Sequence, residues 1–175
     1  MRKFFWVPLL VFIFFIFFTA SSLAQSSYVL PYPSAMPGNF LYKPRLIFEK
    51  VAQLWYFGNF GQFAYSLKQS DKYLVQAKTL FEYNQYLLAY DALKKSDRYF
   101  EKTFLNLEGA EDEGKDISQN RKTLSLAAEK HTELLAEIKE VVPAKFNWQP
   151  EKSASTLLDL ESAIKSSISI RMKYL

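Results

Sequence analysis

The chain has 175 residues, 22 of them basic and 18 acidic, and it has no cysteine. Without cysteine it can form neither a disulfide nor a thiolate zinc site. The net charge of +4 is small, and it falls further if Arg2 and Lys3 are removed with an N-terminal leader. We therefore expect one packed domain with appendages and no nucleic-acid partner.

The N-terminus has the form of a secretory signal peptide. Arg2 and Lys3 precede the apolar stretch Phe4–Phe18, and Ser22-Leu23-Ala24 supplies small residues at the usual cleavage offsets. This pattern predicts that residues 1–24 are a leader cut before Gln25. The alternative is an uncleaved anchor, in which case the membrane is contacted only through residues 1–24. Both interpretations place the rest of the chain outside the cytoplasm.

Residues 25–43 contain several prolines, which lack a backbone donor and favour extended neighbours. We predict a semi-rigid tether there, followed by a helical domain over residues 44–142. Pro44 suits the first turn of its first helix. That helix has apolar residues at helical spacing up to about Phe57, namely Leu46, Ile47, Val51, Leu54 and Trp55.

The core of the domain is predicted between residues 59 and 107. Small or apolar residues recur there every three or four positions, which places them on one side of a helix. They are Phe63, Leu67, Ser70, Leu74, Ala77 and Phe81, then Ala89, Leu93, Ser96, Phe100, Phe104 and Leu107. Asn84 lies between the two sets and could close a helix in the left-handed conformation. We predict an antiparallel helical hairpin, with one continuous helix as the alternative.

Aromatic residues are concentrated at the start of this hairpin, where Gly58 and Gly61 indicate a corner between helices. They are Trp55, Tyr56, Phe57, Phe60, Phe63 and Tyr65. The favoured interpretation is a hydrophobic corner that packs the first helix on the hairpin. The functional interpretation is an aromatic patch that binds a partner.

Residues 108–116 are an acidic loop without the ligand spacing of a calcium site. The apolar spacing over residues 117–142 predicts another helix. Its apolar stripe includes His131, the only histidine of the sequence. No second ligand accompanies His131 on that stripe, so we expect a structural histidine and no metal site. For residues 143–175 we predict a linker and an accessory C-terminal helix that begins at Pro150.

The run Met36-Pro37-Gly38-Asn39, followed by Tyr42, Arg45 and Glu49, resembles the opening of a bacterial family of exported proteins. The shared domain of that family has no known function, and an Ala- and Leu-rich helical hairpin follows its opening. Residues 67–93 are similar to that hairpin, and the resemblance covers about residues 30–107. It implies an extracytoplasmic helical domain and transfers no catalytic residue.

The residue patterns indicate an all-α protein of about five helices, arranged as a hairpin or bundle. They contain no nucleophile–histidine arrangement, no phosphate-binding glycine loop and no metal-ligand cluster, so we predict no catalysis and no cofactor. Our leading hypothesis is an interaction or scaffold protein of the cell envelope with a protein or envelope partner. The alternatives are a chaperone-like binding module and, less favoured, a wall-glycan hydrolase that uses carboxylates such as Glu49, Glu82, Asp91 and Glu101.

Overall fold

The computed structural model describes residues 28–33, 36–152 and 154–175. The expected leader at residues 1–24, its cleavage point and residues 25–27 of the expected tether lie outside this part of the chain. Five helices are described: α1 (Tyr42–Gln53), α2 (Gly58–Glu82), α3 (Tyr86–Asp112), α4 (Ser118–Val141) and α5 (Leu160–Met172). The predicted all-α class is confirmed, since 70% of the described residues are helical and these residues contain a single small two-stranded sheet.

Helices α2 and α3 form the predicted hairpin, and they are two helices rather than one. Asn84 has a φ of 58°, in the left-handed region. The amide of Gln85 donates to the carbonyl of Leu80 at 2.9 Å, and the amide of Asn84 donates to that of Phe81 at 3.0 Å. These two bonds are those of a Schellman motif, which satisfies the last carbonyls of a helix and reverses the chain.

The hairpin stripes identified in the sequence lie in the interior. All of their members are buried except Phe104, which is partly buried against the ring of Tyr174 at a centroid distance of 5.2 Å. Helices α4 and α5 cover the hairpin and complete a four-helix body. The helices pack together mainly because their apolar stripes are removed from water when they come into contact.

The buried apolar side chains divide into two clusters, one towards each end of the four-helix body. Cluster one contains, among others, Leu74, Phe81, Leu93, Leu135, Leu160 and Ile164. Cluster two contains Phe63, Leu67, Phe100, Leu107, Leu124 and their neighbours. Along each of α2, α3 and α4, buried or half-buried polar residues lie between the residues of the two clusters.

The C-terminal region differs from the sequence-based expectation. Two strands, β1 (Lys145–Trp148) and β2 (Thr156–Asp159), pair antiparallel with Phe146 opposite Leu158. The prediction that a helix begins at Pro150 was therefore wrong, because β2 occupies residues up to Asp159. The side chain of Asp159 then accepts from the amide of Ser162 at 2.9 Å and so caps α5.

Helix α5 is short, yet it contributes Leu160, Ile164 and Arg171 to the buried interior. Within β2, Leu157 is exposed and its neighbour Leu158 is buried. The reason is the period of two in a strand, which sends successive side chains to opposite faces.

Candidate functional site

Helix α1 is attached to the four-helix body by its polar side. Glu49 forms an ion pair with Lys72 of α2, and Arg45 Nε donates to Glu49 Oε1 at 3.1 Å. The hydroxyl of Tyr65 donates to the backbone carbonyl of Glu49 at 3.3 Å. Gln53 reaches Gln62 of α2 at 3.5 Å. No residue of α1 is buried.

The apolar side of α1 therefore faces solvent. A helix turns 100° per residue, so within α1 Ile47 and Val51 lie on the side opposite Glu49. Leu54 and Trp55 follow α1 directly, in the turn that ends it, and both are exposed. We call this surface the outer face of α1; it consists of Ile47 (66% exposed), Phe48 (64%), Val51 (50%), Leu54 (70%) and Trp55 (69%). Basic residues lie beside it, Lys43 and Lys50 along one edge and Arg45 along the other. This arrangement is the reverse of the usual amphipathic helix, whose apolar side faces the core.

A cluster of tyrosines lies between α1 and the four-helix body, on the side of α1 that carries Glu49. The ring centroid of Tyr65 lies 5.3 Å from that of Tyr56 and 6.2 Å from that of Tyr99, and Tyr99 stacks on Tyr73 at 5.7 Å. Burial, with the neighbouring hydroxyl of Tyr99, raises the pKa of Tyr65 to about 12. Aromatic pairs at these distances are stabilising beyond the area they bury, so α1 rests on an ordered base.

Lys72 joins this base to α1. Its Nζ lies 4.0 Å from the ring centroid of Tyr73, in a cation–π contact, and it pairs with Glu49. Burial lowers the pKa of Lys72, and the hydrogen bond and charge of Glu49 oppose that effect. The ammonium group is therefore held between a carboxylate and an aromatic face.

A groove of about 630 Å³ lies between α1, the N-terminal segment and α2. Its lining combines apolar rings with charged side chains; it includes Tyr32, Leu41, Phe48, Glu49, Tyr65 and Lys72. The groove is open to solvent and adjoins the outer face of α1 through Phe48, so the two form one continuous surface.

The polar layer between the two clusters consists of Ser70, Asp71, Ser96, Asp97, His131, Ser167 and Arg171. His131 Nε2 lies 2.8 Å from Asp71 Oδ1, and Arg171 Nε donates to His131 Nδ1 at 3.3 Å. Arg171 also pairs with Asp97 and donates to Ser96 Oγ at 2.9 Å. The four elements α2, α3, α4 and α5 are thereby joined through one set of hydrogen bonds.

These contacts fix the state of His131. An arginine Nε–H can only donate, so Nδ1 must accept and the imidazole is neutral with its proton on Nε2, pointing at Asp71. Burial lowers the pKa of His131, which favours this neutral form. His131 is 0% exposed, so no substrate can reach it, and the layer is structural. The sequence predicted a structural histidine; its carboxylate partner comes from another helix, which a search along one helix stripe cannot find.

The N-terminal segment is tied to this layer. The hydroxyl of Tyr28 donates to Asp71 Oδ2 at 2.7 Å. Burial, with the charge of Asp71, raises the pKa of Tyr28 far above its ordinary value, so the hydroxyl keeps its proton and remains a donor. The start of the described chain is therefore fixed to α2 a short distance before α1.

The six aromatic residues singled out in the sequence do not form one patch. Trp55 and Phe57 are exposed, Tyr56 and Phe60 are half-buried, and Phe63 and Tyr65 are buried. The favoured interpretation, a hydrophobic corner that packs the first helix on the hairpin, fits Tyr56, whose ring centroid lies 5.3 Å from that of Tyr65, whereas the apolar side of α1 itself faces solvent. The two glycines do make the corner: Gly58 has a φ of 66°, and a side chain at Gly61 would clash with the backbone of Tyr56 at 2.7 Å.

The carboxylates considered for hydrolysis lie in separate settings. Glu49 pairs with Lys72, Glu82 lies 3.9 Å from Lys78, and Asp91 and Glu101 are exposed on α3. In the acidic loop, Glu113 pairs with Lys115 at 2.5 Å, and Asp116 accepts from the amide of Ser118 at 2.9 Å. Within the described residues, no group of three or more potential metal ligands is close enough to hold an ion.

None of the described helices is both long enough and apolar enough to cross a membrane. Comparison of the chain with models of known protein families, with curated proteins and with solved structures finds no match. Function is therefore inferred from the outer face of α1 and from the groove beside it.

Proposed function

We propose that this protein is an exported, non-catalytic interaction protein of the cell envelope, which docks through the outer face of α1. The observation that carries the proposal is the orientation of α1, with Glu49 turned inward and Ile47 and Val51 turned outward. The leader-like N-terminus and the resemblance to an exported helical family support the location.

The orientation is informative because it is costly in an isolated molecule. Each apolar side chain left in water forgoes about 1.5–3 kcal/mol of burial free energy. Three such side chains lie on α1 and two in the turn directly after it, whereas scattered exposed apolar residues need no explanation. A surface of this kind is typical of an interaction site.

The attachment of α1 also suits a docking element. Its contacts to the body are one ion-pair system, two uncharged hydrogen bonds and the tyrosine base, so it is positioned without using its apolar side. The four-helix body behind it is braced by the polar layer and both apolar clusters. The body therefore supplies a rigid platform, and α1 supplies the contact surface.

Site-specific photo-crosslinking in cells tests this function. A photoreactive amino acid in place of Ile47 should give light-dependent adducts with an envelope component. The same residue in place of Ala136, an exposed position on α4, is the matched control and should give none. Equal crosslinking from the two positions, or none from either, would refute docking through α1.

A chaperone-like module that binds unfolded exported chains is the second candidate. It is favoured by the groove of about 630 Å³ beside α1, whose mixture of apolar and charged side chains could accept an extended peptide. In that case the purified protein should suppress aggregation of an unfolded client, and Phe48→Ser should abolish the effect. No suppression at a several-fold excess of the protein would remove this candidate.

A further inference from the structure

We infer that the outer face of α1 binds the surface of a lipid bilayer that carries anionic headgroups. This inference rests on the proposed function and identifies its partner. The sequence alone assigned membrane contact only to residues 1–24, so the inference adds a second membrane contact within the folded domain.

The outer face has the composition of a helix that lies in a membrane interface. Such helices combine a side rich in Phe, Trp and Leu with lysine and arginine at its edges. Phe48, Leu54 and Trp55 are all on the outer face of α1, with Ile47 and Val51 between them. Two further exposed aromatic residues, Phe40 (88%) and Phe57 (80%), flank the helix in the chain. Tryptophan is enriched at the headgroup level because its ring is apolar and its N–H is polar, and phenylalanine rings add apolar area to such a surface.

The charges of α1 are suited to an anionic surface. Its basic residues Lys43, Arg45 and Lys50 are exposed along the edges of the outer face. Its only acidic residue, Glu49, is on the opposite side and is neutralised by Lys72 and Arg45. Among the described residues no ion pair involves Lys43 or Lys50, so these two ammonium groups remain available to phosphate groups.

A bilayer fits these features better than a second copy of the chain. Two outer faces in contact would bring Lys43 and Lys50 of each copy towards the same basic edges of the other, and like charges across an interface are unfavourable. A lipid surface supplies the opposite charge at the edges and an apolar layer beneath the centre. It also accepts a convex helix without a preformed groove.

A fluorescent probe on α1 tests the inference. The chain has no cysteine, so Val51→Cys gives a single attachment point for an environment-sensitive dye. Gln119→Cys, at an exposed position on α4, is the matched control. The cell-derived protein is mixed with phosphatidylcholine vesicles with and without phosphatidylglycerol. The dye reports locally, so contact made by residues 1–24 alone leaves the signal at position 51 unchanged.

With anionic vesicles we expect a blue shift and an intensity increase at position 51 and no change at position 119. Replacing both Lys43 and Lys50 by Gln should weaken the binding roughly 25-fold, because each basic residue near an anionic surface contributes about a fivefold factor. Raising the salt concentration should weaken it as well. Replacing Ile47 and Trp55 by Ser should abolish the shift.

Several results would overturn the inference. They are an unchanged signal at position 51 in anionic vesicles, equal signals at positions 51 and 119, and a dye at position 51 that is already shielded without lipid. The last would mean that another segment of the chain or a second copy covers the face, and its dependence on protein concentration separates those two. If vesicle binding fails while the photoreactive residue at position 47 still labels an envelope protein in cells, the proposed function stands and the bilayer inference fails.

Discussion

Helix α1 leaves Ile47 and Val51 in solvent and turns Glu49 towards the body, whereas α5 leaves most of its serines in solvent and buries Arg171 completely. The two helices flank the same hairpin system and are similar in length, at 12 and 13 residues. They differ in what their inward sides meet. Helix α1 meets Lys72, Gln62 and the hydroxyl of Tyr65, and α5 meets both an apolar cluster and the polar layer.

This comparison shows that helical periodicity identifies a face but not the environment that covers it. An apolar stripe is buried only if another element supplies an apolar surface for it. A buried cation is stable only when carboxylates and other acceptors surround it, as Asp97, Ser96 and His131 surround Arg171. Both conditions depend on residues far away in the chain.

The largest expected effect is on stability and concerns Arg171, the buried arginine of α5. Arg171→Ala would leave Asp97 without its cation and His131 Nδ1 without its donor, and breaking a buried pair in this way costs about 3–5 kcal/mol. Urea denaturation should therefore show a much lower midpoint. Lys165→Ala, which removes an exposed ion pair with Glu161 on the same helix, should leave the midpoint unchanged. A near-native midpoint for Arg171→Ala would mean that the polar layer does not hold α5 in place.

The second-largest expected effect is a pH dependence of the free energy of unfolding, caused by His131. Because burial lowers the pKa of His131 in the folded protein, the unfolded chain binds a proton below about pH 6.5 while the folded one does not. The contribution of neutral His131 to the free energy of unfolding is fully present above that pH. It is lost as the pH falls, by up to about 1.4 kcal/mol per pH unit. The free energy of unfolding between pH 7 and pH 5 measures it, and His131→Gln should flatten the profile. A wild-type profile that rises towards pH 5 would contradict the assignment of a neutral His131.

A smaller effect is expected where α1 meets the body. Glu49→Gln removes the ion pairs with Lys72 and Arg45, of which only the first is largely shielded from solvent. We expect a loss of about 1 kcal/mol, confined to α1. Hydrogen exchange should become faster over residues 42–53 and stay unchanged in α2 and α3. Uniformly faster exchange would show that α1 is part of the cooperative core.

The hairpin could be predicted because the patterns that specify it involve residues close together in the sequence. The stripes from Phe63 to Phe81 and from Ala89 to Leu107 recur at helical spacing, and Asn84 is one of the few residue types that readily adopt a positive φ. The class of the fold and the turn at Asn84 were therefore predictable. Leu124, Leu135 and Ile138 of α4 were predictable for the same reason, and all three are buried.

The remaining features depend on contacts that are distant in the chain. Asp71 and His131 are 60 positions apart, and Arg171 and Asp97 are 74 apart, so neither pair leaves a local pattern. The strands β1 and β2 have four residues each, which is too short for a clear alternation. The outward orientation of α1 was missed because its apolar spacing is that of an ordinary buried helix. The aromatic patch considered in the sequence includes Trp55 of the outer face and the neighbouring Phe57, but Ile47, Phe48 and Val51 were not assigned to it.

The most direct test of the central claim compares two isoleucines that occupy helices on the same protein. Ile47 on α1 is 66% exposed and Ile164 on α5 is 1% exposed. If α1 presents its apolar side and α5 buries its own, urea denaturation should show that Ile47→Ala changes the free energy of unfolding by less than about 0.5 kcal/mol. Ile164→Ala should lower it by about 2–5 kcal/mol. A loss of several kcal/mol for Ile47→Ala, with little change for Ile164→Ala, would contradict the account.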